Sequence, residues 1–192
     1  LVEISAVAVS LTHVDAMKRV TVGPESAGAA PGPACYGRGG ARPAVTDADL
    51  TLGRIEPARF AGGEISPDET AAARALSVEI AEPLGLDIDE AAYAVSEVVD
   101  ENMASAARAH AVEQGKDIRA RALIAFGGAA PLHAARLAEK LGLKTVIVPT
   151  GAGVGSAIGF LLAPAAYEIV RSLPMRLDRF DEGRVASLFD EM

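Results

Sequence analysis

The pattern of apolar and polar positions predicts short strands at the start of the chain. Residues 2–9 are apolar on both faces, which is typical of a buried strand. Residues 11–15 and 19–22 then predict a β-hairpin whose turn lies at residues 15–18. A stretch rich in Gly and Pro follows, so the hairpin is expected to lead into a loop.

Start and stop signals predict three helices in the middle of the chain. The first covers residues 47–54 and is expected to be capped by Asp47 or Thr46. The second begins with a capping box at Ser66-Pro67-Asp68-Glu69 and ends at Gly85. The third begins at residues 87–90 and runs to about Gln114. Its predicted apolar stripe contains Ile88, Ala92, Val95, Val99, Met103 and Ala106.

The last third alternates between strand and helix patterns. Residues 123–126 and 144–148 predict short buried strands, with helices over 131–141 and 153–162. A strand, a helix and a second strand in this order predict a βαβ unit with a parallel sheet. Residues 145–167 carry no charge and are long enough to cross a bilayer, but their glycines and prolines favour a strand followed by a small-residue helix.

Composition narrows the class of protein. Half of the residues are hydrophobic while only 4% are aromatic, which favours an aliphatic core of the layered α/β kind. The net charge of -8 argues against a nucleic-acid surface. A single cysteine cannot form an intrachain disulfide, which fits the cytoplasm, and residues 1–10 lack the basic segment of a signal peptide. Both ends interrupt predicted elements, so the chain is expected to be a fragment of a longer protein.

Gly127, Gly128 and Ala129 are the first candidate for a binding site. They follow a predicted strand and precede a predicted helix, where glycines let a ligand approach the backbone and the helix start offers free N–H groups. The sequence is neither a Walker A loop nor a dinucleotide fingerprint. An ordinary tight turn remains the alternative. The glycines of residues 151–156 are interpreted as the entry to a packing helix.

Three further side chains are candidates with open alternatives. Cys35 lies in the stretch GPESAGAAPGPACYGRGG (23–40), but no histidine is predicted beside it as a base, so a structural or contact role is favoured. His133 lies in the first turn of a predicted helix and is expected to contact a ligand or to serve as a cap or core residue. Asn102 lies near an apolar stripe, which indicates either a polar pocket or a surface position.

Four segments in order resemble the hydantoinase A/5-oxoprolinase family over roughly residues 1–170. They are the stretch at 23–40, VTDADLTLGR (45–54), ENMASAARAHAVEQGKDIR (101–119) and LIAFGGAAPLHAARLAEKLG (123–142). The resemblance implies an α/β fold, namely half of an actin-like ATPase (ribonuclease H-like) core with a mixed sheet and flanking helices. Residues 1–166 would form the C-terminal half of that core, and residues 167–192 would begin a following region.

The resemblance also implies an activity. Members couple ATP hydrolysis to the opening of a cyclic amide, and related members are subunits of ATP-dependent ketone carboxylases; a non-catalytic scaffold is the third possibility. ATP and Mg²⁺ are the implied cofactors, with the metal ligands expected outside this chain. The implied partners are a cyclic amide or ketone and a hydantoinase B-like subunit within a cytoplasmic oligomer, without nucleic acid or membrane.

Site residues follow from the resemblance by position. The turn Gly127-Gly128-Ala129 would approach the adenosine, and Asn102 would lie on the helix that walls the base. The predicted contacts of the loop with substrate, a missing domain or the partner subunit are Glu25, Cys35, Tyr36 and Arg38. No catalytic base or metal ligand is assigned.

Three departures from the family pattern concern the predicted site. The chain has SAVAVS (5–10) where a GAGGGS stretch is usual, Ala130 where the turn usually has a glycine, and Ala30 where an acidic residue is usual. The first departure leaves open whether this strand still supports activity.

Overall fold

The computed structural model describes residues 8–192, which divide into two compact units, one that ends at Ser156 and one that comprises Ala157–Met192. The strand predicted at residues 2–9 falls outside the described residues, apart from Ala8 and Val9, which belong to a turn. The division after Ser156 comes earlier in the chain than the predicted boundary at residue 166.

The predicted hairpin is confirmed. Strand β1 (Ser10–Val14) pairs antiparallel with β2 (Val20–Ser26), which runs further than predicted. Asp15 holds the turn because its Oδ1 accepts the N–H groups of Met17 and Arg19 at 2.8 and 2.9 Å. Such an Asx-type turn is a common use of aspartate between strands.

The first two helices exist but begin differently from the prediction. Helix α1 (Val45–Thr51) has Ala44 at its N-cap position, so neither Asp47 nor Thr46 is the N-cap residue, although the Asp47 carboxylate accepts the N–H of Ala44 from the third helical position. Helix α2 (Glu69–Leu76) is capped by Asp68, whose carboxylate accepts two backbone N–H groups, and not by Ser66. It continues through a wider π-helical turn, Ser77–Ala81, into α3 (Glu82–Leu84), which Gly85 ends in a left-handed conformation.

The long helix is confirmed as α4 (Ile88–Glu113), with reciprocal capping between Asp87 and Glu90 at 2.8 and 3.1 Å. Its apolar stripe forms the centre of the core, against which α1, α2 and the hairpin pack. Ala106, predicted within the stripe, is exposed instead. Ala104 and Ala107 are fully buried in its place.

The βαβ unit is confirmed, although its strands are short. Strand β3 (Leu123–Ile124), helix α5 (Ala130–Leu141) and strand β4 (Val146–Ile147) follow in order, and the two strands pair in parallel. The prediction that both strands are buried is wrong, because Ile124 and Ile147 are 51% and 45% exposed. The single mixed sheet that was expected is also not observed, since residues 8–192 form two separate two-stranded sheets.

After β4 the chain forms a short 3₁₀ turn at Ala152–Val154, helix α6 (Gly155–Leu162) and, in the second unit, helix α7 (Glu182–Asp190). Asp181 caps α7 by accepting the N–H of Arg184. Within the described part of the chain, no helix combines the length and the apolar character that a membrane crossing requires.

Candidate functional site

The turn between β3 and α5 presents bare backbone. Gly127 has φ of 98°, a conformation that favours glycine, and its N–H donates to the Ala152 carbonyl at 2.7 Å. A Cβ added at Gly127 or at Gly128 would meet nothing within 4 Å, so the space beside both residues is open. Ala129, the N-cap residue of α5, has no side-chain oxygen to offer the first helical turn. The turn therefore leaves room for a ligand to approach the backbone.

A cleft of about 730 Å³ lies between α4, β3 and α5 and includes this turn in its lining. Met103, Ala107 and Leu137 contribute apolar wall, while Lys116 and Arg121 contribute positive charge. The volume is typical of a small-molecule site. An apolar cleft with cations and a glycine turn suits a ligand that combines an apolar ring with anionic groups.

Asn102 lies apart from this cleft. Its side chain is on an exposed position of α4, whereas its neighbour Met103 turns inward and lines the cleft. The structure thus brings together the three turn residues of the predicted site but does not place Asn102 with them.

The loop at residues 23–40 is ordered by a distant carboxylate. Asp47, fully buried on α1, accepts the N–H groups of Cys35, Ala34 and Ala44 at 2.8, 3.2 and 2.7 Å. The loop also packs closely on itself, because a Cβ at Gly40 would overlap the carbonyl oxygen of Gly32. These contacts agree with the interpretation of this stretch as a rigid loop and not as a flexible linker.

The four predicted contact residues of the loop have different environments. Glu25 and Arg38 are exposed, and Glu25 forms an ion pair with Arg42 at 2.8 Å. Tyr36 is half-buried, with its ring 5.7 Å from that of Phe60. Cys35 is fully buried, so a contact of its thiol with substrate or a partner conflicts with this placement. Burial and the Asp47 carboxylate both raise the pKa of the thiol, which opposes nucleophilic reactivity.

A second group of polar side chains, which the sequence analysis missed, lies in the interior. We call it the buried cluster, and it consists of Asp49, Ser96, Asp100 and His133, which are at most 1% exposed, together with Arg54 at its edge, whose side chain is 26% exposed. His133 Nδ1 lies 2.9 Å from Asp100 Oδ1, and its Nε2 lies 3.3 Å from Asp49 Oδ2, an ion-pair distance without good hydrogen-bond alignment. Arg54 donates to Asp49 at 2.9 Å and to Ser96 at 2.6 Å.

Two carboxylates enclose the imidazole of His133, which is 1% exposed. Burial by itself lowers the pKa of His133, but the hydrogen bond to Asp100 and the ion pair with Asp49 outweigh it and raise the pKa to about 9. The side chain is therefore an imidazolium at neutral pH. Of the two roles predicted for His133, ligand contact and core residue, the structure shows the core role.

One signal in the sequence pointed to this cluster. Asp47 and Asp49 both lie in the segment VTDADL, where every residue from Val45 to Leu50 is buried. Two aspartates in a fully buried helix must be paired, because an unpaired buried charge is strongly unfavourable. This pairing was not predicted, because Asp47 was interpreted as a helix cap.

Partly exposed ion pairs also connect α4 with the C-terminal half of α5. Arg136 forms two parallel bonds to Glu97, at 2.7 and 3.0 Å, and Lys140 lies 3.0 Å from the same carboxylate. The Arg136 hydrogen bonds, supported by Lys140, lower the pKa of Glu97 to about 2. Together with the buried cluster, these pairs join one face of α4 to one face of α5.

Comparison with known proteins identifies the family. Residues 1–169 match the family described as hydantoinase/oxoprolinase. The chain belongs to this family. It is 44% identical over 169 residues to the caprolactamase subunit alpha of Pseudomonas jessenii, covering 88% of the chain and 24% of that protein. It is also 43% identical over 143 residues to the acetophenone carboxylase gamma subunit of Aromatoleum aromaticum, covering 73% of the chain and 19% of that protein.

A solved structure of this family has the same fold as the chain. The crystal structure of ATP-dependent caprolactamase from Pseudomonas jessenii superposes with a TM-score of 0.74 at 41% identity, over 96% of the chain and 27% of that protein. The chain thus spans about a quarter or less of the length of these hydantoinase/oxoprolinase relatives.

Proposed function

We propose that this chain is part of an ATP-dependent enzyme that opens a cyclic amide. The observation that carries the proposal is the 44% identity to a caprolactamase subunit, together with a glycine turn that opens onto a cleft of nucleotide size. In the proposed reaction the γ-phosphoryl group of ATP passes to the amide oxygen and ADP leaves. Water then attacks the activated carbon, phosphate departs and the ring C–N bond breaks to give the open-chain amine and carboxylate.

The proposed contact with ATP is the turn Gly127-Gly128-Ala129. Open space beside both glycines lets a nucleotide approach the backbone, and the start of the 12-residue helix α5 offers N–H groups and a partial positive charge to anionic oxygens. Asn102 is left out of the proposed contact set because it does not line the cleft. Lys116 and Arg121 are better placed than Asn102 to favour an anionic ligand.

The proposed architecture is the C-terminal half of an actin-like ATPase core over residues 1–166. Two of the relatives are named as subunits, which supports a hydantoinase B-like partner for this chain as well. Within residues 8–192 no group of three His, Cys, Asp or Glu side chains is arranged to hold a metal ion, so no residue is assigned to Mg²⁺. In this proposal the chain's own residues bind and orient ATP.

A ketone carboxylase subunit is the second candidate. The 43% identity to an acetophenone carboxylase subunit favours it, since this value nearly equals the identity to the caprolactamase subunit. In that reaction ATP would phosphorylate bicarbonate and release ADP. A carbon nucleophile derived from the ketone, and not water, would then attack the activated carboxyl carbon and displace phosphate.

The test uses the full-length gene product with its partner subunit and Mg·ATP. We expect ADP release to rise when caprolactam, a hydantoin or 5-oxoproline is added. Stimulation only by a ketone with bicarbonate would establish the second candidate. If neither set stimulates ADP release and calorimetry detects no ATP binding, the protein is a non-catalytic scaffold.

Gly128→Val is expected to weaken ATP binding at least tenfold, because its side chain would occupy the open space where the nucleotide approaches. Gly128 has no positive φ and a Cβ there meets no neighbour, so the fold should tolerate the change. Isothermal titration measures the affinity. Ala135→Val, at an exposed position of α5, is the matched control and should bind ATP normally. Equal affinity of both variants would refute the proposed contact.

A further inference from the structure

Few polar contacts hold the start of helix α5 in place. Its N-cap residue Ala129 has no polar side chain, Pro131 has no N–H, and the side chains that would anchor the turn are missing at Gly127 and Gly128. The N–H of Gly127, bonded to the Ala152 carbonyl, holds the strand end of the turn. The nearest polar side chain on α5 itself is His133, in the first helical turn.

His133 ties this first turn to two other helices at once. Asp100, its partner at 2.9 Å, belongs to α4, and Asp49, its partner at 3.3 Å, belongs to α1. All three side chains are at most 1% exposed. Interactions between buried ionised groups depend strongly on geometry, because removing one partner leaves a charge without compensation.

The charges of the buried cluster balance only when His133 is protonated. Asp49 and Asp100 contribute two negative charges, and Arg54 supplies one positive charge through its bond to Asp49. The imidazolium supplies the second, since the pKa of His133 lies at about 9. Loss of this charge would leave Asp100 buried beside a neutral partner, which favours movement of α5 away from α4.

The other ion pairs of α5 are less able to fix the turn. Arg136 is 43% exposed and Lys140 lies at the opposite end of the helix. Exposed pairs contribute little because water and salt screen them. Among these polar contacts of α5, the buried cluster is therefore the one that lies nearest the helix start and is best shielded from water.

We propose that His133 is a positioning residue for the ATP-binding turn: by bridging Asp49 and Asp100 it holds the first turn of α5, and with it Gly127-Gly128-Ala129, in the geometry that receives the nucleotide. This inference rests on the proposed function, because it assigns a role toward ATP. His133 does not itself contact the nucleotide, since its side chain is buried among α1, α4 and α5.

His133→Gln in the full-length enzyme tests the proposal. Glutamine keeps a hydrogen-bond donor but removes the charge. We expect the KM for ATP to rise at least fivefold while kcat changes less than twofold, because the turn is displaced but the reacting groups are not. Lys140→Gln, which breaks ion pairs at the far end of α5, is the matched control and should leave both constants within twofold of the wild type.

Hydrogen exchange gives a second readout that does not depend on ATP. The amides of residues 128–130 and 132–134 should exchange at least tenfold faster in His133→Gln than in Lys140→Gln. If His133→Gln does not fold, the same measurements are made on the double variant His133→Gln/Asp100→Asn. In that variant the remaining charges of the cluster, on Asp49 and Arg54, balance. If both the KM for ATP and the exchange rates are unchanged in the variant, the positioning role is overturned. If the wild-type enzyme does not bind ATP, the proposed function is overturned. The exchange rates then still show whether His133 holds the turn in place.

Discussion

Asp47→Ala should destabilise the protein by at least about 3 kcal/mol, because three buried N–H groups lose their common acceptor at about 1–3 kcal/mol each. The donors belong to Ala34, Cys35 and Ala44, all of which are at most 4% exposed, so water cannot replace the carboxylate without opening the loop. The free energy of unfolding from urea titration measures the effect.

Asp68→Ala is the matched control for this prediction. Asp68 also accepts backbone N–H groups at a helix start, but its side chain is exposed, so we expect a loss of only about 1 kcal/mol. Modification of Cys35 by a thiol reagent, located by mass spectrometry, reports on the loop directly. The buried thiol should react slowly in the wild type and in Asp68→Ala, and much faster in Asp47→Ala. Equal losses in the two variants would show that Asp47 does not organise the loop.

Features that depend on neighbouring residues could be predicted from the sequence. The hairpin follows from apolar alternation around Asp15, and α4 follows from the capping box at Asp87 and Glu90. The Gly127-Gly128 turn followed from two glycines between a strand and a helix pattern. Each of these signals lies within a few residues of the structure that it produces.

Features that depend on distant residues could not be predicted in this way. Asp47 binds the loop 12 residues before it, and His133 joins Asp100 on another helix, 33 residues earlier. Helical periodicity shows that a position faces the core but not which polar partner it meets there. The exposure of β3 and β4 was missed for the same reason, because a short apolar strand pattern does not show how many of its faces are covered.

The stability of the wild-type protein should fall as the pH rises from about 6.5 to about 9, because His133 binds its proton more tightly in the folded state. Burial opposes this, but the bonds to Asp100 and Asp49 raise the folded-state pKa from 6.5 to about 9. Below pH 6.5 both states are protonated and the stabilisation is complete, and it is lost as the pH passes through the folded-state value. At about 1.4 kcal/mol per pH unit, the loss is on the order of 3 kcal/mol.

Urea titrations at several values between pH 6 and pH 10 measure this dependence, with His133→Gln as the comparison. Glutamine does not titrate, so the difference in free energy of unfolding between wild type and variant should be largest near pH 6 and should shrink toward pH 10. Arg136→Gln, which removes a partly exposed ion pair of the same helix, should run parallel to the wild type because a guanidinium and the carboxylate of its partner Glu97 do not change charge between pH 6 and pH 10. Parallel curves for wild type and His133→Gln would show instead that folding leaves the pKa of His133 unchanged, so that its charge does not stabilise the folded protein. A wild-type stability that rises between pH 6 and pH 7 would show that His133 is neutral in the folded protein.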